Sequence, residues 1–222
     1  MKKLIKGIIN FRKNYLTEYR TKFSKLALQQ SPDVLFVACC DSRVVPNVFA
    51  SSDPGDLFVL RNIGNLIPPY HAQSKDAHLI DASVFATIEY SLLNLGVQDI
   101  VICGHSDCGA MRTLIEHDPK IPSLEPALNT WLEYADTSYK RFQSYNHKNS
   151  TLTPCNTLSR INVLQQLDNL KTYPIIQERL QNNTLKIHGW WFDLATANIY
   201  CFDPKINDFI LIEDEEIAFK SI

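Results

Sequence analysis

The sequence lacks any apolar run of the roughly 20 residues that a membrane-spanning helix needs, so no membrane span is predicted. It also lacks a secretory signal, because Lys6 and Arg12 interrupt the apolar residues that follow Lys2 and Lys3. With 22 Lys and Arg against 24 Asp and Glu, it lacks the basic excess of nucleic-acid-binding proteins. These absences predict a soluble cytoplasmic protein that binds no nucleic acid.

Internal repeats and low-complexity tracts are absent as well, so a single domain over residues 1–222 is the simplest prediction for a chain of this length. Its first part predicts an N-terminal helical arm over about residues 3–26. Apolar side chains recur there at spacings of three and four, at Leu4, Ile8, Phe11, Tyr15 and Tyr19. Because Glu18 is the only acidic residue among many basic ones, the arm is either a solvated helix or one that meets a membrane surface or a partner.

Short apolar runs predict the strands of the domain. The runs at 34–38 and 100–102 have the composition of buried strands in a parallel sheet. Later runs at 185–192 and 198–202, with a possible extra strand at 209–212, indicate an antiparallel edge. Helical spacing predicts covering helices at 77–95, 108–117, 126–142 and 158–170. The predicted fold class is α/β, with a mainly parallel central sheet, an antiparallel edge strand and flanking helices.

Possible metal ligands follow directly after two of these strands. Cys39 ends the first strand, and His105 and Cys108 follow the second one. The strand ends of an open parallel sheet converge on one crevice, so the three side chains can meet there. No second Cys-x-x-Cys or His-x-x-Cys occurs in the chain, which leaves three ligands and an open fourth position. That number predicts a catalytic zinc site rather than a structural one.

The other cysteines have a simpler interpretation. Six cysteines, two of them needed as thiolates, fit a reducing cytoplasm better than a disulfide framework. We expect Cys103, Cys155 and Cys201 to be small buried apolar side chains, as free cysteines often are. Cys40 neighbours Cys39, but alternation along an extended segment turns adjacent side chains to opposite faces, so Cys39 is the predicted ligand.

Asp41 and Arg43 lie just beyond Cys39, and the same alternation would place all three on one side. Two thiolates cancel the charge of Zn²⁺ and leave its bound water less acidic than a three-histidine site would. Asp41, held ionised by Arg43, could then accept the proton of a zinc-bound hydroxide and orient it. The alternative is an ordinary surface pair.

Gly109 and the predicted helix start at Cys108 offer free backbone N–H groups and the positive end of a helix dipole. These groups would lower the pKa of the thiolate and help to hold an anionic substrate or product. Plain turn chemistry explains the same residues equally well.

The motif Ala38-Cys39-x-Asp41-Ser42-Arg43, together with Gly104-His105-x-x-Cys108-Gly109, resembles the β-class carbonic anhydrases. Further matches lie at 30–32, 54–62, 88–90 and 188–190, so the resemblance covers roughly residues 5–205. It implies Zn²⁺ on the Cys-His-Cys ligands and a catalytic dyad of Asp41 and Arg43. It also implies that Gln30 donates a hydrogen bond to a substrate oxygen.

The reaction implied by the resemblance is reversible hydration of CO₂ to bicarbonate and a proton, by attack of a zinc-bound hydroxide. In that family the N-terminal stripe packs on a neighbouring subunit, so a dimer or a tetramer built as a dimer of dimers is expected. One alternative is a hydrolase of CS₂ or COS on the same zinc site. Another is a non-catalytic zinc protein, which would be expected to have lost Asp41 or Arg43.

Two positions depart from some members of that family. Those members bind bicarbonate in a second pocket and close the site by moving the aspartate onto zinc, and they carry Trp and Tyr where this chain has Phe36 and Phe192. Neither phenylalanine can donate a hydrogen bond to an anion. The sequence therefore predicts an open site near neutral pH and no such switch.

Overall fold

A computed structural model describes residues 1–70, 82–116, 126–145 and 151–213. The helices in these ranges are α1 (Lys2–Asn14), α2 (Leu16–Leu26), α3 (Pro46–Phe49), α4 (Ala82–Leu93), α5 (Gly109–Glu116), α6 (Pro126–Leu132), α7 (Asp136–Ser144), α8 (Pro154–Leu170) and α9 (Pro174–Gln181). The strands are β1 (Val34–Cys39), β2 (Leu57–Asn62), β3 (Asp99–His105), β4 (Lys186–Phe192), β5 (Ile199–Asp203) and β6 (Asp208–Leu211). Short 3₁₀ turns lie at Ile63–Asn65 and Glu133–Ala135.

The described strands form one sheet in the order β2-β1-β3-β4-β5-β6. The first four strands of this order are parallel, whereas β5 and β6 are antiparallel to their neighbours. The predicted fold class is therefore confirmed, and the late strands lie close to their predicted bounds. Because β1 and β3 pair side by side, with Ala38 opposite Cys103, their C-terminal ends lie at one edge of the sheet. Cys39 and His105 are the last residues of these two strands.

Helix α8 lies very close to the sheet because the strands beneath it carry glycine. A Cβ atom on Gly104 would lie 2.7 Å from Cγ2 of Val163, and one on Gly189 would lie 3.0 Å from Cδ1 of Leu167. Side chains at these two positions would force α8 away from β3 and β4. The glycines thus allow polar side chains of α8 to reach the backbone at the edge of the sheet.

Two helices that the sequence predicts as continuous are broken in the structure, so this part of the prediction is wrong. The arm over 3–26 is broken at Tyr15, whose backbone (φ −121°, ψ −19°) separates α1 from α2. Neither helix buries a residue, so no packing enforces one straight helix, and Asn14 and Tyr15 are poor helix formers. The helix predicted over 126–142 is divided by the 3₁₀ turn Glu133–Ala135.

The start of α8 also differs from the prediction. It begins at Pro154, earlier than expected, because the Thr153 side chain accepts a hydrogen bond from the Asn156 N–H and proline suits the first helical position. Parts of the helices predicted over 77–95 and 108–117 lie outside the described residues. No helix in the described ranges is long and apolar enough to cross a membrane.

Candidate metal centre

The three predicted ligands meet at the C-terminal edge of the sheet. Cys39 ends β1, His105 ends β3, and Cys108 lies in the turn before α5. One ligand atom from each residue lies within 4.8 Å of the other two, and all three residues are buried. This spacing suits tetrahedral coordination of one zinc ion by two sulfurs and one imidazole nitrogen.

The His105 ring is arranged to offer one nitrogen to a metal. Its Nδ1 lies 2.8 Å from the backbone oxygen of Ser106, which can only accept, so Nδ1 carries the proton. In the neutral ring Nε2 then has a free lone pair, and this atom is buried without a hydrogen-bond partner among the described residues. Buried polar side-chain atoms nearly always have a partner. A metal ion bound at Nε2 would satisfy the imidazole, so the residues fit the group that the donor set implies.

The sulfurs of Cys39 and Cys108 lie within 4.8 Å of each other, and each affects the pKa of the other. A hydrogen bond from Cys108 lowers the pKa of Cys39 to about 4, although burial opposes this shift. The same contact, together with burial, raises the pKa of Cys108 well above its usual value. The N–H of Gly64 also donates to the Cys39 sulfur, at 3.4 Å. A divalent cation would displace a proton that remains on either sulfur and leave two thiolates as ligands.

Asp41 and Arg43 form a bidentate ion pair beside these ligands. Arg43 Nε donates to Asp41 Oδ1 at 3.0 Å, and Arg43 Nη2 donates to Asp41 Oδ2 at 2.7 Å. The Arg43 backbone N–H adds a further bond to Oδ1 at 2.9 Å. The Arg43 hydrogen bonds hold the pKa of the Asp41 carboxyl well below its usual range. Arg43 also donates to the Asp107 carbonyl at 3.2 Å, which ties the pair to the segment that carries Cys108.

Strand alternation, from which the sequence predicts that Asp41 and Arg43 lie on one side, does not apply to these two residues. Strand β1 ends at Cys39, and Asp41 and Arg43 lie in a turn in which the Val44 N–H donates to the Asp41 carbonyl. The turn, not strand alternation, brings the carboxylate back onto the guanidinium. The expected difference between the adjacent cysteines is confirmed, since Cys39 is buried and Cys40 is exposed.

The two candidate substrate-binding residues lie in different surroundings. Gly109 is the exposed first residue of α5, and a Cβ atom there would meet nothing within 4 Å, so the space above its backbone is open. Gln30 is exposed in the connection between α2 and β1. Within the described part of the chain, no hydrogen bond joins Gln30 to the three ligands, so its role stays a prediction.

Several side chains that support the ligands were missed from the sequence. Arg61 of β2 donates to the carbonyl of Cys39 through Nε and Nη2, at 3.0 and 2.8 Å. Ser159 of α8 donates to the carbonyl of His105 at 2.8 Å. Asn156 accepts from the Asp107 N–H at 2.9 Å. The available signal was a run of polar residues at helical spacing along the segment that became α8.

Comparison with known proteins identifies the class that this fold and site define. A family model described as carbonic anhydrase matches residues 34–199. The chain is 36% identical over 215 residues to a carbonic anhydrase of Helicobacter pylori, covering 94% of this chain and 93% of that protein. The chain therefore belongs to the carbonic anhydrase family.

Solved structures narrow this to the β class. The β-carbonic anhydrase CcaA superimposes with a TM-score of 0.83 at 36% identity, covering 95% of this chain and 98% of that one. A tetrameric β-carbonic anhydrase of Sordaria macrospora gives a TM-score of 0.74 at 27% identity, covering 90% and 95%. This protein is a β-class carbonic anhydrase.

Replacing any one ligand should remove the metal. We expect Cys39→Ser, His105→Ala and Cys108→Ser to contain less than about a tenth of the wild-type zinc, because two donors and a water hold Zn²⁺ far more weakly than three donors. Metal content per chain, measured by mass spectrometry after dialysis, checks this. Cys201→Ser is the control, since that cysteine is buried on β5 outside the cluster. Full zinc in all three ligand variants would contradict the assignment.

Proposed function

We propose that this chain hydrates CO₂ reversibly to bicarbonate and a proton at a zinc centre formed by Cys39, His105 and Cys108. The observation that carries the proposal is the buried Nε2 of His105, which has no hydrogen-bond partner among the described residues. It belongs to a cluster in which one ligand atom each of Cys39, His105 and Cys108 lies within 4.8 Å of the other two. When bound there, Zn²⁺ would act as a Lewis acid that lowers the pKa of a water molecule and so supplies the nucleophile.

Asp41 would orient the nucleophile. Its carboxylate stays ionised because Arg43 stabilises the charge, so it can only accept hydrogen bonds. Accepting the O–H of the attacking oxygen would hold that proton away from CO₂ and aim the remaining lone pair at the carbon atom. Arg43 fixes the carboxylate through two parallel bonds, which resist rotation better than one bond would.

Gly109 and Gln30 are the proposed contacts to substrate and product. The Gly109 N–H lies in the first turn of α5, where backbone donors have no partner within the helix. It can donate to a carboxylate-like product, and the missing side chain leaves room for that product. The amide of Gln30 is exposed and can donate to a substrate oxygen.

Self-association and a cytoplasmic location are part of the same proposal. Helices α1 and α2 bury no residue. The α1 residues Leu4, Ile5 and Ile8 are each at least half exposed. An apolar stripe of this kind is stable when another surface covers it. We infer that a second copy of the chain covers it in a dimer or tetramer. No disulfide joins the described cysteines, which fits a reducing cytoplasm.

The proposed self-association can be tested by introducing one charged residue into the apolar stripe of α1. We expect Ile8→Glu to shift the protein toward monomer, because a carboxylate cannot be buried in an apolar contact without a large penalty. Sedimentation velocity gives the mass. Asn10→Glu adds the same charge at an exposed polar position of α1 and should leave the mass unchanged. A wild-type monomer, or an Ile8→Glu protein that keeps the wild-type mass, would refute the role of this stripe.

The reaction itself is tested by stopped-flow CO₂ hydration at pH 7 to 8.5, with zinc measured in the same sample. We expect rapid hydration with about one zinc per chain, since three donors define one site per chain. CS₂ and COS are assayed in parallel. If a sample with full zinc hydrolyses CS₂ or COS but does not hydrate CO₂, the proposal is wrong and the chain is a hydrolase of that gas.

The role of Asp41 has its own test. We expect Asp41→Asn to keep its zinc but to lose about 100-fold or more of the hydration rate, because the amide can donate to the nucleophile and misdirect its lone pair. The control Asp107→Asn makes the same change in an exposed side chain close to the site, which is paired only loosely with Arg112 at 3.3 Å. A full rate in Asp41→Asn would remove this residue from the mechanism.

A further inference from the structure

The face of α8 that meets the sheet edge carries polar side chains where apolar ones are expected. Asn162, Gln166 and Asn169 are buried there. Gln166 accepts from the Ile67 N–H at 2.8 Å, and Asn169 donates to the Ile67 carbonyl at 2.8 Å. These amides therefore bind the backbone of the segment that follows β2, which contains Gly64.

Asn162 holds Gly64 directly. Its Nδ2 donates to the Gly64 carbonyl at 3.0 Å. Its Oδ1 accepts from the Ser138 hydroxyl and from Gln166 Nε2, each at 2.9 Å. The side chain is 1% exposed, so water does not compete for these bonds. Both ends of the amide are fixed, and the Gly64 carbonyl is fixed with them.

Trp131 of α6 holds the other side of Gly64. Its Nε1 donates to the Ile63 carbonyl at 2.8 Å. That carbonyl belongs to the same peptide group as the Gly64 N–H, which donates to the Cys39 sulfur at 3.4 Å. A donor on the carbonyl polarises the peptide and strengthens the hydrogen bond that its N–H makes.

Gly64 has no side chain to hold itself in place. Its φ of +79° is a conformation that other residues rarely adopt, and a Cβ atom there would lie 3.1 Å from the Cβ of Ala110. Glycine is the most flexible residue when it is left free. Its orientation in the folded chain must therefore come from the groups that bind its two peptide units.

We propose that Asn162 and Trp131 are positioning residues that hold the Gly64 N–H on the Cys39 sulfur and thereby set how firmly this thiolate retains zinc. The assignment rests on zinc ligation by Cys39, which belongs to the proposed function. A hydrogen bond to a ligating sulfur fixes its orientation and draws charge from it, and loss of such outer contacts typically weakens metal binding by 10- to 100-fold.

The first test compares two asparagines of α8. Asn162 and Asn169 each make three side-chain hydrogen bonds within the described chain, one of them to a backbone carbonyl after β2. Only the carbonyl bound by Asn162 belongs to the residue that contacts Cys39. We expect Asn162→Leu to release zinc to a chelator about 10-fold faster than wild type, and Asn169→Leu to match wild type. Equal acceleration in both variants would show a merely structural effect and overturn the proposal.

A second pair of variants serves if the leucine variants fail to fold. Trp131→Phe removes the donor to Ile63 and keeps an aromatic ring. Trp190→Phe removes an indole N–H that has no partner in the described structure. With Co²⁺ in place of zinc, we expect the thiolate-to-cobalt absorption band to move to longer wavelength in Trp131→Phe, because a sulfur with a weaker hydrogen bond gives up an electron more easily. The band should stay unchanged in Trp190→Phe.

Metal binding by the wild-type protein distinguishes failure of the proposed function from failure of the positioning role alone. A wild-type chain that binds neither Zn²⁺ nor Co²⁺ would refute the proposed function, and this inference with it. A wild-type chain that binds both ions, with an unshifted band and wild-type zinc release in Trp131→Phe, would overturn the positioning role alone. A shifted band in Trp131→Phe only, with faster zinc release, supports it.

Discussion

The rest of the site depends on the convergence of three buried side chains, Cys39, His105 and Cys108, each of which offers one metal-ligating atom. His105 Nε2 has no hydrogen-bond partner among the described residues, and the contact between the two thiols lowers the pKa of Cys39 and raises that of Cys108. Without a cation, this cluster leaves buried polar atoms unsatisfied, which is costly in a low-dielectric interior. The parallel pairing of β1 with β3 imposes the convergence, because it fixes the strand ends that carry Cys39 and His105 at one edge.

Two thiolates and the carboxylate of Asp41 would place three negative charges around one divalent ion. Hydrogen-bond donors that the fold holds in place offset this excess of negative charge. Arg43 neutralises the carboxylate, Arg61 binds the carbonyls of Cys39 and Asp41, and the Gly64 N–H approaches the sulfur. These donors are held in place by the fold, so they need no rearrangement when charge moves during a reaction. The same donors would offset the weak acidifying power of a zinc ion that carries two thiolates.

The sequence predicted that Cys39, His105 and Cys108 meet, because each follows an apolar strand, and the structure confirms that they do. Strand order brings such positions together. It did not predict the turn that pairs Asp41 with Arg43. Strand alternation also places these two side chains on one side of the chain, so the sequence pattern gave no sign that a turn was present. It also missed the role of α8. Asn162, Gln166 and Asn169 are buried polar residues on a face that also packs against the sheet, so they blur the apolar stripe that marks a covering helix. Their backbone partners lie 98 to 102 residues away along the chain, which no local pattern reveals.

Phe36 and Phe192, the two positions that depart from some members of the family, lie in an aromatic cluster of the sheet. Phe36 packs edge-on against Trp190 at 5.9 Å, and Phe49 stacks on Phe192 at 4.7 Å. Neither Phe36 nor Phe192 can donate a hydrogen bond to an anion such as bicarbonate. Three hydrogen bonds from Arg43 hold the carboxylate, two of them bidentate and charge-assisted. Moving Asp41 onto a bound metal would break all three bonds, and this aromatic cluster offers no compensation. We therefore propose that Asp41 stays on Arg43 and would leave a coordination position of a bound zinc ion to water.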